Sequence, residues 1–224
     1  MKIDLRNVPV TWINLDTHTE NAKNITEHLD SLGFTNHYRT PGVIDKTPGD
    51  GPYGIRKGHY IGVGRAMMNA WETIKGKMPG LVLEGDVVAS ENFQPVIEVP
   101  DNVDAVYLGV SHAGQVEARD IGGGWARVKN MLAAHAILYC SERYMNAVEQ
   151  MTNHCLFKEC VPFDLGTAKL QNDFFVITPH KPFFYQSNDR ESATKWEELT
   201  KKPLTILPQE DFRNQNNTVD AVRF

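Results

Sequence analysis

Short apolar runs alternate with amphipathic stretches along this chain, and their order predicts the order of its elements. Val8 to Leu15 is β-branched and apolar, has Pro9 at its start, and reads as a first strand. Ala22, Ile25, Leu29 and Leu32 then recur at helical spacing until Gly33 stops the helix. Phe34 to Ile44 completes a βαβ-like opening. Thr40 to Gly58 is dense in glycine, proline and charge, and reads as a long loop of the kind that forms lids and binding segments. Ile61, Met67, Ala70, Trp71 and Ile74 mark an amphipathic helix ending before Pro79-Gly80, with its Met and Trp stripe facing a core.

The second half follows the same alternation. Leu81 to Val88 and Val103 to Val110 read as buried strands, and Gly114 to Gly124 as a mobile glycine loop with Trp125 behind it, a candidate lid. Lys129 to Cys140 holds an apolar segment around Ala136 to Tyr139. Ser141 can cap a helix carrying Tyr144, Met145, Val148 and Met151. Phe174 to Thr178 is a late strand closed by Pro179. This alternation predicts a layered α/β architecture with a mixed, mostly parallel sheet flanked by helices, as one domain over residues 1–210. The polar, Asn-rich 211–224 reads as a disordered tail.

One run carries chemistry as well as structure. Leu81-Val82-Leu83-Glu84-Gly85-Asp86-Val87-Val88 sets two carboxylates into an apolar strand near its C-terminal end. Strand ends of open α/β sheets are where ligands bind. A buried carboxylate needs a cation, hydrogen bonds or open water. Glu84 and Asp86 are therefore candidate ligands for a divalent metal and the phosphates it carries; the alternative is that they cap a turn or pair with surface cations.

Composition narrows the classes. The chain has 224 residues, 41% hydrophobic and 23% charged, which suits one sizeable core. The net charge of −5 gives no support to non-specific nucleic-acid or membrane binding. The N-terminal hexapeptide lacks a continuous apolar segment, and no run reaches the length of a membrane span, so no stable membrane insertion is expected. Three cysteines are too few for a disulfide framework and suggest reduced thiols in a cytoplasmic setting. There is no Walker loop, and Gly62-Val63-Gly64 lacks the rest of a dinucleotide fingerprint.

Several fragments, in order over residues 8 to 194, resemble glycosyltransferase family 25, the lipooligosaccharide and collagen galactosyltransferase group. Ile13-Asn14-Leu15-Asp16 is similar to that family's INLD opening strand, and Gly62 through Trp71 to its GCxxSHxxxW helix. Leu83 to Val87 resembles its LEDDV metal motif, and Asp104 to Gly109 its D-x-x-Y-L-G strand. His135-Ala136-Ile137-Leu138 sits where the family has HAYLIS, and Pro162-Phe163-Asp164 resembles its P-V-D triplet. Gln186 and Ser192 echo a downstream Q…S segment. Gly85 replaces the middle acid, Ala66-Met67 the SH dipeptide, and Asn21 stands where an arginine is usual, which marks a divergent member. The resemblance implies a GT-A-like (Rossmann-like) nucleotide-sugar-binding fold. It also implies transfer of a sugar, with inversion, from a nucleotide-sugar donor, a UDP-sugar foremost, with Mn²⁺ or Mg²⁺ on the diphosphate. The acceptor is a carbohydrate or other hydroxyl, with a hydroxylated DNA base as an alternative. A nucleotide-sugar-binding protein that has lost catalysis is a further alternative.

Under that resemblance Asp164 is the candidate base for the acceptor proton, or else a helix cap that orients the acceptor. Asn14, Leu15 and Asp16 lie where base and ribose would dock, Asp16 being alternatively a helix N-cap. Arg56, Lys57 and Arg65 can meet phosphate or stand as solvated surface charges. His135 is either a metal or phosphate contact or a core histidine.

Overall fold

The computed structural model describes residues 1–113, 116–132, 134–187 and 193–208. Gly114, Ser192 and the expected tail at 211–224 lie outside these.

An eight-stranded sheet forms the centre, with spatial order β3 (His37–Pro41), β2 (Val10–Asn14), β4 (Gly80–Glu84), β10 (Ala136–Tyr139), β7 (Ala105–Tyr107), β11 (Val176–Pro179), β9 (Trp125–Lys129) and β8 (Glu117–Gly122). Pairing directions give six strands running one way, with β10 and β9 reversed, so the sheet is mixed and mostly co-directional as expected. Two small antiparallel pairs flank it: β1 (Lys2–Asp4) with β6 (Val96–Glu98), and β5 (Val87–Ala89) with β12 (Phe184–Gln186).

Period-two alternation sends each strand's side chains to two separate cores. Leu81 and Leu83, Val106, and Ala136 and Leu138 enter one core, which also receives Ile25 and Leu29 of α1 (Thr19–Ser31). Val82, Ala105 and Tyr107, and Ile137 and Tyr139 enter the other. That second core is covered by Met67, Ala70 and Trp71 of α2 (Lys57–Ile74), Tyr144, Met145 and Val148 of α3 (Glu142–His154), and Phe163 of α4 (Phe163–Leu170). Ser141 caps α3, accepting from the Tyr144 amide at 3.2 Å. Among the described residues no helix is long and apolar enough to cross a membrane.

Two segments depart from the sequence expectation. Leu81 to Val88 is not one strand: it turns at Gly85-Asp86, and β5 leaves the main sheet to pair with β12. The segment expected as a loop before Gly124 contains β8, hairpinned to β9. As an edge strand β8 is mostly half-exposed, so it carries no apolar run to read. Gly122, Gly123 and Gly124 form its turn at φ of 85°, 66° and 83°, a left-handed path that favours glycine. Four strands lie between β8 and β4, which sets this turn apart from the acids in the sheet.

Candidate active site

The carboxyl edge of the sheet is built from strands that end together. β2, β3 and β4 run parallel in register, so Asn14, Pro41 and Glu84 finish side by side. Antiparallel β10 begins at this edge, where the Glu84 amide donates to the His135 carbonyl at 2.9 Å. α2 returns from this edge to the start of β4, so its N-terminus, with Arg56 and Lys57, overlies the same side. The Tyr60 hydroxyl donates to the Cys160 carbonyl at 2.7 Å, which ties the first turn of α2 to the segment leading into α4 and Asp164.

Glu84 is the last residue of β4 and Asp86 sits in the turn beyond. Gly85 between them has a steric reason: a Cβ there would lie 2.5 Å from the Ile13 carbonyl oxygen and 3.1 Å from Asn14 Oδ1. The acid turn is pressed against the end of β2, and only glycine fits. Burial first, then the charges of Asp86 and Asp164, pushes the Glu84 carboxyl up to about 8. Three carboxylates, one of them some eighty positions away in sequence, thus bear on one point. Asp164, in the first turn of α4, is itself raised by burial, opposed by hydrogen bonding from the Leu165 amide and its own. Glu84 Oε2 accepts a 2.6 Å hydrogen bond from Gln186 Nε2, and the Asp86 carbonyl accepts from the Ser187 amide at 2.9 Å.

His135 lies between Glu84 and Gly109 in one cross-strand row. It is 1% exposed, its Nε2 has no hydrogen-bond partner among the described residues, and its ring occupies the place where a Gly109 side chain would stand. Burial pushes its titration down to about 4, partly offset by a hydrogen bond with the Phe184 backbone, so it is neutral at pH 7.

The other candidate residues have local partners. Asn14 Nδ2 donates to the Leu15 and His18 carbonyls at 2.8 and 2.9 Å, which closes the turn after β2. The Leu15 side chain packs against Gly42. Asp16 is not the cap of α1, which starts at Thr19 after His18; it pairs with Arg39 of β3, whose guanidinium also bonds the Asn14 carbonyl at 3.3 Å. Arg39 is a cation of this edge that sequence reading passed over, because β-strand pairing alone brings it there. Arg65 stands two turns into α2, bonded to Asp45 at 2.7 Å and 5.7 Å over the Phe157 ring. Gly58 and Gly62 of the same helix receive the backbone of Val43 to Thr47, where any Cβ would collide with the Asp45 or Val43 carbonyl. Those glycines serve packing, not a dinucleotide.

For a divalent cation the residues fit in kind. Among the described residues no group of three or more His, Cys, Asp and Glu side chains could hold a metal by itself. Mg²⁺ and Mn²⁺ are commonly bound by one or two carboxylates, with water and substrate phosphate completing the shell. Burial first, and then the charges of Asp86 and Asp164, keep the Glu84 carboxyl protonated to about pH 8, and the part due to the neighbouring charges is one that a cation would relieve.

No protein-family model matches the sequence, and no curated protein matches it. Among solved structures the chain is similar to a glycosyltransferase involved in the glycosylation of the major capsid of PBCV-1, at 10% identity and a TM-score of 0.44 over 86% of this chain and 98% of that one. It is also similar to the CTP:phosphocholine cytidylyltransferase from Streptococcus pneumoniae, at 10% identity and a TM-score of 0.44 over 85% and 98%. Both likenesses are remote, and neither assigns a chemistry to this chain.

Proposed function

We propose that this chain is a glycosyltransferase with a GT-A-like fold, a divergent relative of glycosyltransferase family 25, that moves a sugar from a nucleotide-sugar donor to a hydroxyl acceptor. The observation that carries this reading is the acid turn at the carboxyl edge of the sheet, where Glu84 ends β4, Asp86 lies in the turn beyond, and the charge of Asp164 reaches Glu84. A cation held by Glu84 and Asp86 would neutralise the leaving diphosphate. The N-terminus of α2, with Arg56 and Lys57, brings positive charge to the same side of the molecule. Asp164 is the carboxylate for the acceptor proton: burial raises its titration, which strengthens it as a base. Acid and base work from one fixed edge, so the chain supplies position more than reactivity.

The test is a thermal-shift screen of nucleotide sugars with and without Mn²⁺, repeated on Asp86→Asn. A donor at a hundred times its dissociation constant adds about 2.7 kcal/mol of apparent stability. The Mn²⁺-dependent part should vanish in Asp86→Asn together with sugar transfer, while the ligand-free midpoint stays. Sugar transfer by Asp86→Asn at the wild-type rate, or no nucleotide sugar raising the wild-type midpoint, overturns the reading.

A further inference from the structure

Gln186 reaches Glu84 from 102 positions away, and its backbone is held on both sides. The β12–β5 pairing sets Gln186 opposite Val87, three residues past Glu84, and the Ser187 amide donates to the Asp86 carbonyl at 2.9 Å. The Gln186 backbone amide donates to Thr200 Oγ1 at 3.1 Å, and Thr200 is 1% exposed on α5 (Ala193–Lys201). Lys201 Nζ lies 4.8 Å over the Tyr185 ring on the same small sheet. The side-chain amide therefore approaches the acid turn from a scaffold held on two sides. It binds one carboxylate oxygen of Glu84 at 2.6 Å, short for such a bond.

We propose that Gln186 is the positioning residue of the acid site: it holds Oε2 of Glu84 so that Oε1 is presented with Asp86 to a divalent cation. The proposal rests on the reading of Glu84 and Asp86 as cation ligands. A carboxylate at a strand end has free rotamers, and an outer partner that fixes one oxygen removes them before the cation arrives. Glutamine suits this better than lysine or arginine. It donates a hydrogen bond without adding positive charge that would repel the cation.

The experiment is Mn²⁺ binding to the full chain, read as the loss of the free-ion electron paramagnetic resonance signal, for wild type, Gln186→Met and Gln186→Asn. The first keeps length and removes the donor; the second keeps the amide and withdraws it by one methylene. Metal-free thermal midpoints show that each variant is folded, and a purely structural Gln186 would move those midpoints and not the affinity. The expected result is a roughly 10- to 100-fold loss of Mn²⁺ affinity in the folded variants. Wild-type affinity in either folded variant overturns the positioning role and leaves the cation site standing. A wild-type chain that binds no Mn²⁺ overturns both.

Discussion

Glu84→Gln should make this protein more stable, by an amount that depends on pH. Glu84 titrates near 8 when folded, against 4.5 for an ordinary glutamate. Below about pH 4.5 the carboxyl is protonated in folded and unfolded chains alike and costs nothing. As pH rises from there the unfolded chain ionises first, so the folded state loses stability until the folded group has also ionised, above about 8. Each pH unit of that gap is worth about 1.4 kcal/mol, which sets a ceiling of about 5 kcal/mol. Glu84 is only partly buried, and screening of Asp86 and Asp164 together with local relaxation brings the expected value to about 2–3 kcal/mol. The amide of the variant carries no charge and can still accept from Gln186. For a chain of this size that corresponds to roughly 4–12 °C in melting temperature. Thermal unfolding of both proteins from pH 5 to pH 9 measures it. The midpoints should nearly coincide at pH 5, diverge through pH 8 with the variant higher, and converge again at pH 9 when Mn²⁺ is added to the wild type. Taking the difference between the two proteins cancels every other titrating group. Parallel curves, or a variant less stable at pH 9, would refute the convergence of three carboxylates on which the site is built.

Gly85→Ala should cost about 1–3 kcal/mol, since its Cβ meets the Ile13 carbonyl oxygen at 2.5 Å; chemical denaturation reads the loss. Gly109→Ala drives a methyl group into the His135 ring, and His135→Ala should recover part of that loss, so that the double variant is less destabilised than the two singles summed. Asp164→Asn should lower kcat by roughly 10²- to 10⁴-fold and leave the donor KM near its wild-type value, measured by steady-state transfer assays; an unchanged kcat would assign Asp164 to the helix alone.

Much of the layout was readable from periodicity. The α1 stripe from Ala22 to Leu32, the Ser141 cap and the buried runs of β4 and β7 are strong local signals, because one buried face imposes its period on the residues. β8 and β9 were not readable: Glu117 to Gly122 is a half-exposed edge strand whose pairing is set by its partner. The turn at Gly85 was hidden as well, since Val87 and Val88 continue the apolar run while serving a different sheet.

The sequence alone placed Glu84 and Asp86 toward the C-terminal end of a buried, β-branched run, because such a run is satisfied inside a sheet and its acids must then seek an edge. Only the tertiary structure decided what meets them there. Asp164 and Gln186 come from α4 and β12, and sequence separation carries no record of which element neighbours which. The glycines at 85 and 109 likewise owe their identity to a facing carbonyl and a facing imidazole, since a missing side chain is explained only by what fills its place.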